Sequence, residues 1–198
     1  MKVLVIQTRF GIGDMLIFLP YLKAISQHTG VKVSILAKES SKASELFKDE
    51  KFLDEIINLD SSNDGVFGFF KLSKEIKERQ FDKVYIFNSS IRYKFLATVA
   101  GIKNIYQYPL FTSKDIIFHT AKVFTEELVG KTLPSEANLL LNDEDIKKAK
   151  NTYGFNDQTK NVVLGISASG PTKRWGIENY IELAFLLNQH KKCKFFIA

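Results

Sequence analysis

The chain predicts an α/β fold built on a doubly wound parallel sheet, and three observations predict it. Short apolar runs recur along the chain. Stretches with helical spacing separate one run from the next. Glycine, proline or polar turn residues mark the joins. Strands that alternate with helices pair in parallel, and the crossover helices then cover the sheet.

Val3–Ile6 reads as a buried strand. Gly11–Gly13 makes a glycine-bearing turn, and a helix follows over about 14–28. Pro20 lies inside it, so the helix is expected either to kink or to begin there. Val31–Leu36 is the second strand, Glu39–Phe47 a helix and Ile56–Leu59 the third strand. Ser61–Asp64 is a polar loop before a helix over 66–79. Phe81-Asp82 leads into the fourth strand, Val84–Phe87. Arg92–Ala100 is helical and stops at Gly101, a residue suited to a C-terminal cap. Ile105–Tyr108 is the fifth strand, closed by Pro109, and 116–129 form a helix that ends at Gly130.

The pattern then changes. Lys131–Pro134 is a loop, Asn138–Leu141 a short extended piece, and Asp143–Tyr153 a charged helix with Asp143 as its N-cap. Gly154–Lys160 is polar and linker-like, after which strand, helix and strand start afresh at Val162–Ile166, Ile177–Asn188 and Phe195–Ala198. These features predict a first domain over 1–155 and the beginning of a second over 156–198. A unit of that size cannot bury both faces of its sheet. The chain is therefore expected to be part of a longer polypeptide.

Of the 198 residues, 45% are hydrophobic and 25% charged, an ordinary globular composition. Four apolar residues after Lys2 are too few for a secretory signal, and no run suits a membrane-spanning helix. A single cysteine, Cys193, excludes an internal disulfide and fits a reducing compartment. These features point to a cytoplasmic protein. The net charge of +6 can attract anionic partners, but zinc-finger spacing and RNA-binding aromatic signatures are missing, so no nucleic-acid partner is expected. Lys147, Lys148 and Lys150, and Lys191, Lys192 and Lys194, also suit plain solvated faces.

Two segments carry chemistry. The first is Thr8-Arg9-Phe10-Gly11-Ile12-Gly13-Asp14, between strand and helix. Ligands of open parallel sheets bind at the carboxyl ends of the strands. Gly11 and Gly13 would let a ligand approach the backbone, and a helix N-terminus attracts negative charge. Leu16 stands where a dinucleotide fingerprint needs its third glycine, and Glu39 is only loosely placed for a ribose contact. Asp14 is either a helix cap or a general base that takes a proton from a sugar hydroxyl.

The second segment is Ser167-Ala168-Ser169-Gly170-Pro171-Thr172-Lys173-Arg174-Trp175. Hydroxyls, a glycine and two cations meet at a helix start, the composition of a phosphate site. The bland reading is a solvated Lys173-Arg174 pair, with Trp175 packing rather than stacking on a base.

In this order and at this separation, the segments resemble glycosyltransferase family 9, the ADP-heptose:lipopolysaccharide heptosyltransferases. Val3–Ile6, Gly13-Asp14 and Pro20 match its opening. Phe81-Asp82, the apolar run after it and Asn88-Ser89-Ser90-Ile91-Arg92 match its middle. Ala168-Ser169, Pro171–Trp175, Tyr180 and Glu182-Leu183-Ala184 match the opening of its second domain. Ser167 replaces a usual loop glycine, Gly176 follows the tryptophan, and Arg9 stands one position late. The family's Asp-Ser-Gly…His donor motif is not in this sequence.

The resemblance implies a GT-B-type enzyme with two Rossmann-like lobes, the first for the acceptor and the second for the donor. It implies inverting sugar transfer from ADP-heptose to a lipopolysaccharide-type anionic glycolipid. No other cofactor and no metal would take part, and contact with the inner membrane surface is possible in such a system. Asp14 becomes the base; Lys173, with Ser169 and Thr172, steadies phosphate; Gly11, Gly13 and Arg9 line the first loop. No Asp-x-Asp occurs, and His28, His119 and His190 are scattered. A nucleotide-cofactor oxidoreductase, a phosphoglycan-binding module without turnover and a plain structural domain remain the alternatives.

Overall fold

Four consecutive apolar residues, Val3 to Ile6, can all be buried only if both faces of their strand are covered, and all four are. They form β1 (Val3–Gln7) in a computed structural model that describes residues 1–109, 117–155, 158–168 and 171–198. The chain divides into two compact units, Met1–Leu140 and Leu141–Ala198.

In the first unit β1 is followed by α1 (Ile12–Thr29), β2 (Val33–Lys38), α2 (Ala43–Leu46), β3 (Leu53–Leu59) and α3 (Gly65–Arg79). β4 (Lys83–Ile86), α4 (Ile91–Val99), β5 (Asn104–Gln107) and α5 (Ile117–Val129) complete it. The sheet has the order β3-β2-β1-β4-β5, and every pairing is parallel. This is the doubly wound sheet the alternation predicts. Along β1 the pleat sends Val3 and Val5 into one core, with α1, α2 and α5. Leu4 and Ile6 enter the other, with α3 and α4.

Several elements differ from expectation. α1 runs through Pro20 and does not begin there. The helix expected over 39–47 is a 3-10 turn, Glu39–Ser41, followed by α2, because Lys42 between them takes a left-handed conformation (φ 55°). Ser61–Asn63 forms a 3-10 turn capped by Asp60. Residues 138–141, expected as a short extended piece, form no regular element. Leu139 packs on the first core, and the Leu140 amide donates to the buried Glu50 carboxylate at 2.8 Å. Lys23 Nζ completes that junction, 2.8 Å from the same oxygen and 2.7 Å from the Asn138 carbonyl.

The second unit holds α6 (Asp143–Tyr153), β6 (Lys160–Leu164), α7 (Ile177–His190) and β7 (Cys193–Ile197), with β6 and β7 parallel. The unit therefore starts near 141 and not at 156. α6 belongs to it, because Lys194 Nζ donates to the carbonyls of Tyr153 (2.6 Å) and Gly154 (3.0 Å), and the Phe155 and Phe196 rings pack together. Its N-cap is Asn142, whose side chain accepts from the Asp145 amide, so Asp143 is the first helical residue instead of the cap. No described side chain of 141–198 is buried. No described helix is long and apolar enough to cross a membrane.

Candidate functional site

The strand order reverses at β1. The chain moves outward through β2 and β3, then returns to place β4 on the other side of β1. A crevice opens at the carboxyl ends of strands where such a reversal occurs. Here those ends carry Thr8 and Arg9 from β1, and Phe87 to Ser89 from β4. Asn88 Nδ2 donates to Thr8 Oγ1 across the reversal at 2.8 Å. Gln107, at the end of β5, donates to the carbonyls of Asn88 and Ser90, each at 2.9 Å. Ser90 then caps α4. The polar segment Asn88–Arg92 is thus the brace of the crevice floor.

α1 starts with Gly11 as N-cap, which has no side chain to bond the first amides. Helix starts leave such amides open to an anion or water. Asp14 lies in that first turn and is not the cap. Its Oδ1 lies 3.3 Å from Arg9 Nε, and both side chains are about one-third to two-fifths exposed, at 34% and 41%. A Cβ on Gly11 would come within 3.3 Å of Asp14 Oδ2, so the missing side chain leaves room for that carboxylate. Gly13 has open space above it. Neither glycine is left-handed, so what they supply is access rather than a special turn.

Two clefts flank this loop. The larger, about 300 Å³, lies toward β2 and β3 and is lined by Phe10, Lys38, Glu39, Asp60, Arg92 and Tyr93 among others. Lys38 Nζ sits 3.4 Å from the centre of the Phe10 ring. The smaller, about 140 Å³, lies toward β4 and β5 and is lined by Arg9, Asn88, Ser89, Tyr108 and Thr120 among others. Burial pushes the Tyr108 phenol far above its ordinary value; the neighbouring Tyr21 adds to this and Arg9 opposes it. The Tyr108 hydroxyl and the Gln7 amide nitrogen are buried with no partner among the described residues. Such groups cost stability until something bonds them.

Tyr108, Gln107 and Lys38 were not expected in the site, and Asn88 was noted only as part of a motif. Only the strand order brings residues some 80 positions from Thr8 to its side. A polar residue directly after each predicted strand is the signal that could have found them.

In the second unit, Thr172 and Lys173 lie exposed on a 3-10 turn, Pro171–Lys173, ahead of α7. Ser169 and Gly170 fall outside the described residues. Arg174 turns back, its guanidinium 3.3 and 3.4 Å from the Ala168 carbonyl, so it braces the loop and leaves Lys173 as the loop's outward cation. Gly176 caps α7 in a left-handed conformation (φ 90°) without a side-chain bond. Glu178 already places one negative charge in that first turn. Trp175 meets Tyr180 edge to face at 5.1 Å, which is packing, and the Tyr180 hydroxyl donates to the Gly165 carbonyl at 2.8 Å. The dinucleotide reading gains nothing: Leu16 fills the third glycine position, although Glu39 does line the larger cleft. Among the described residues, no group of three or more His, Cys, Asp or Glu is placed to hold a metal ion.

No family model matches the sequence, and no curated protein does. Solved structures do match its fold. The ADP-heptose lipopolysaccharide heptosyltransferase II of Escherichia coli superposes with a TM-score of 0.73 over 100% of this chain, at 17% identity. A glycosyl transferase of family 9 from Veillonella parvula superposes with 0.76 over 98%, at 16% identity. E. coli heptosyltransferase WaaC, solved with ADP, gives 0.63 over 98%, at 15% identity. The chain spans 64%, 62% and 67% of the lengths of those three proteins. The fold is thus shared with the family that the motifs resemble.

Proposed function

We propose that this chain belongs to an inverting glycosyltransferase of the heptosyltransferase family and carries its acceptor-binding unit and part of its donor-binding unit. The donor is a nucleotide-diphospho-sugar, ADP-heptose in first place. The acceptor is an anionic, lipopolysaccharide-type glycolipid, met at the cytoplasmic side of a membrane. One observation carries the reading: Asp14 stands part-exposed at the strand-order reversal, beside the open start of α1 and next to the two clefts.

The chemistry follows from that placement. An acceptor hydroxyl oxygen attacks the anomeric carbon from the side opposite the diphosphate. The bond from that carbon to the diphosphate oxygen breaks, and its electron pair leaves with the diphosphate. Asp14 accepts the hydroxyl proton as the new bond forms. Arg9 holds the carboxylate in place through its Nε. Lys173, with Thr172 and Ser169, offsets the charge of the departing diphosphate, a task that preorganised cations and donors can perform without a metal. The three solved neighbours support the fold this requires, and two of them carry heptosyltransferase names that match the motif reading.

The test is transfer from ADP-heptose, measured on the full polypeptide as its source makes it. Asp14→Asn is expected to lower turnover about 10²–10⁴-fold while leaving thermal stability and ADP affinity unchanged. Unchanged turnover would overturn the base assignment. Absence of transfer by the unmodified protein from any nucleotide sugar would overturn the enzyme reading itself.

A further inference from the structure

α3 and α4 pack side by side on one face of the sheet, and each leaves an apolar stripe outside. On α3 the stripe is Val66, Phe67 and Phe70, with Phe67 93% exposed. On α4 it is Ile91, Phe95 and Val99, at the i, i+4, i+8 spacing of a helix face. The Phe69 and Phe95 rings stack at 5.4 Å and join the stripes into one surface. That surface is held rigidly. A Cβ on Gly68 would strike the backbone of Ser62 and Asn63, so α3 is seated directly on the turn before it. Contiguous apolar patches of this kind mark an interaction site.

The charges say what kind. α3 and α4 together carry six cations, Lys71, Lys74, Lys77, Arg79, Arg92 and Lys94, against two carboxylates, Glu75 and Glu78, and Glu75 pairs with Arg79 at 3.1 Å. Asp64 stands at one edge, and Glu78 pairs with Lys74 at the other, 3.9 Å away. Lysines interleaved with exposed phenylalanines are unlike the core of a protein–protein interface, where lysine is depleted. A second copy of the same face would oppose like charges. A bilayer with anionic headgroups suits both features at once. The rings enter the acyl boundary, and the lysine stems run outward to the phosphates.

We propose that the α3–α4 face docks this protein on an anionic membrane surface. Arg92 ties the face to the candidate site, because it lines the larger cleft and lies 5.9 Å from the Phe69 ring. A lipid-anchored acceptor could thus present its sugar to the cleft while its chains stay in the bilayer. The proposal rests on the glycolipid reading for its purpose, but its test needs no sugar.

The experiment is flotation of the full polypeptide, as its source makes it, with vesicles of phosphatidylcholine alone or mixed with phosphatidylglycerol. Binding is expected to the mixed vesicles and to be weak on the neutral ones. Replacing Phe67, Phe70 and Phe95 by serine together should lower the partition by about tenfold or more. Lys71→Ala and Lys94→Ala should each lower it about fivefold, on the mixed vesicles only. All are exposed positions, and circular dichroism checks that the fold is kept. Phe185→Ser, on the exposed apolar face of α7, should change nothing; a drop there comparable to the triple variant's would move the docking to the second unit and overturn the proposal. It is equally overturned if no vesicle binds, if the triple variant binds as well as the parent, or if sedimentation shows a dimer that the triple variant dissolves. Vesicle binding without sugar transfer would leave this proposal standing and remove only the enzyme reading.

Discussion

The chain contains the same arrangement twice, a parallel strand followed by a loop and a helix start, and builds it in opposite ways. Between β1 and α1 the loop is short and tied down. Thr8 is buried and bonded to Asn88, the Arg9 amide donates to the Gln7 side chain at 2.6 Å, and Arg9 holds Asp14. Between β6 and α7 the loop is longer and stands out. Thr172 and Lys173 are exposed, and among the described residues its ties are Arg174 to Ala168, Tyr180 to Gly165, Asn179 to the Trp175 carbonyl and the Ile166 amide to Ala198. A proton acceptor must be held to within a fraction of an ångström of its hydroxyl, so a stiff base is useful. A phosphate clamp can close around its ligand, and a looser loop serves it well.

The largest expected difference between the two regions is in backbone protection. Amide exchange in β1 and β2, whose apolar side chains are buried, should run about 10³-fold or more slower than in β6 and β7. Mass spectrometry of peptides from each unit reads this directly, and equal rates would break the comparison. Next comes the division of labour. Lys173→Ala should weaken ADP binding about tenfold and leave the stability of the first unit untouched. A loss of turnover with ADP binding intact would instead assign Lys173 to the first loop's task.

Smaller still is the brace. Asn88→Ala removes the bond to Thr8 and should cost about 1–2 kcal/mol, read as a lower midpoint in urea. The smallest effect is expected at Gly13. Its space is open and its backbone is helical, so Gly13→Ala should stabilise by about 0.4–1 kcal/mol. If Gly13 is there for close approach of substrate, the same change raises KM. A stabilised variant with unchanged KM would show that the glycine is incidental.

Much of this was legible from the sequence. Val3–Ile6 shows no alternation, which is the mark of a strand covered on both faces, and the alternation of strands and helices implied parallel pairing. Asp14 and Lys173 drew notice because each lies between a predicted strand and a predicted helix; the structure places Asp14 in the first turn of α1 and Lys173 on the turn before α7. Element edges were less legible, for reasons that lie in three dimensions. Lys42 breaks a helix through a left-handed backbone that its residue type does not announce. Asn142 and Asp143 are both good caps, and only the geometry selects Asn142. The domain edge near 141 escaped notice because Lys194 reclaims α6 from forty residues further on. Asn88 and Tyr108 join the site through strand order, a property of the whole sheet and of no local stretch.

The two hydrogen bonds at the ends of β1 have one more consequence. Lys2 donates its amide to Asp82 Oδ2 at 2.6 Å, and Thr8 accepts from Asn88; both pairs are separated by 80 positions, the same offset as Val3 opposite Lys83. Where β1 and β4 are apolar on both faces, over Val3–Ile6 and 84–86, burial gives little preference between one alignment and the next. A slip of a single residue would move one strand by about 3.3 Å. The polar pair at each end favours the observed register over that slip. Asp82, at the opposite end of the strands from Asp14, therefore helps to set where Arg9 and Asp14 stand without touching either.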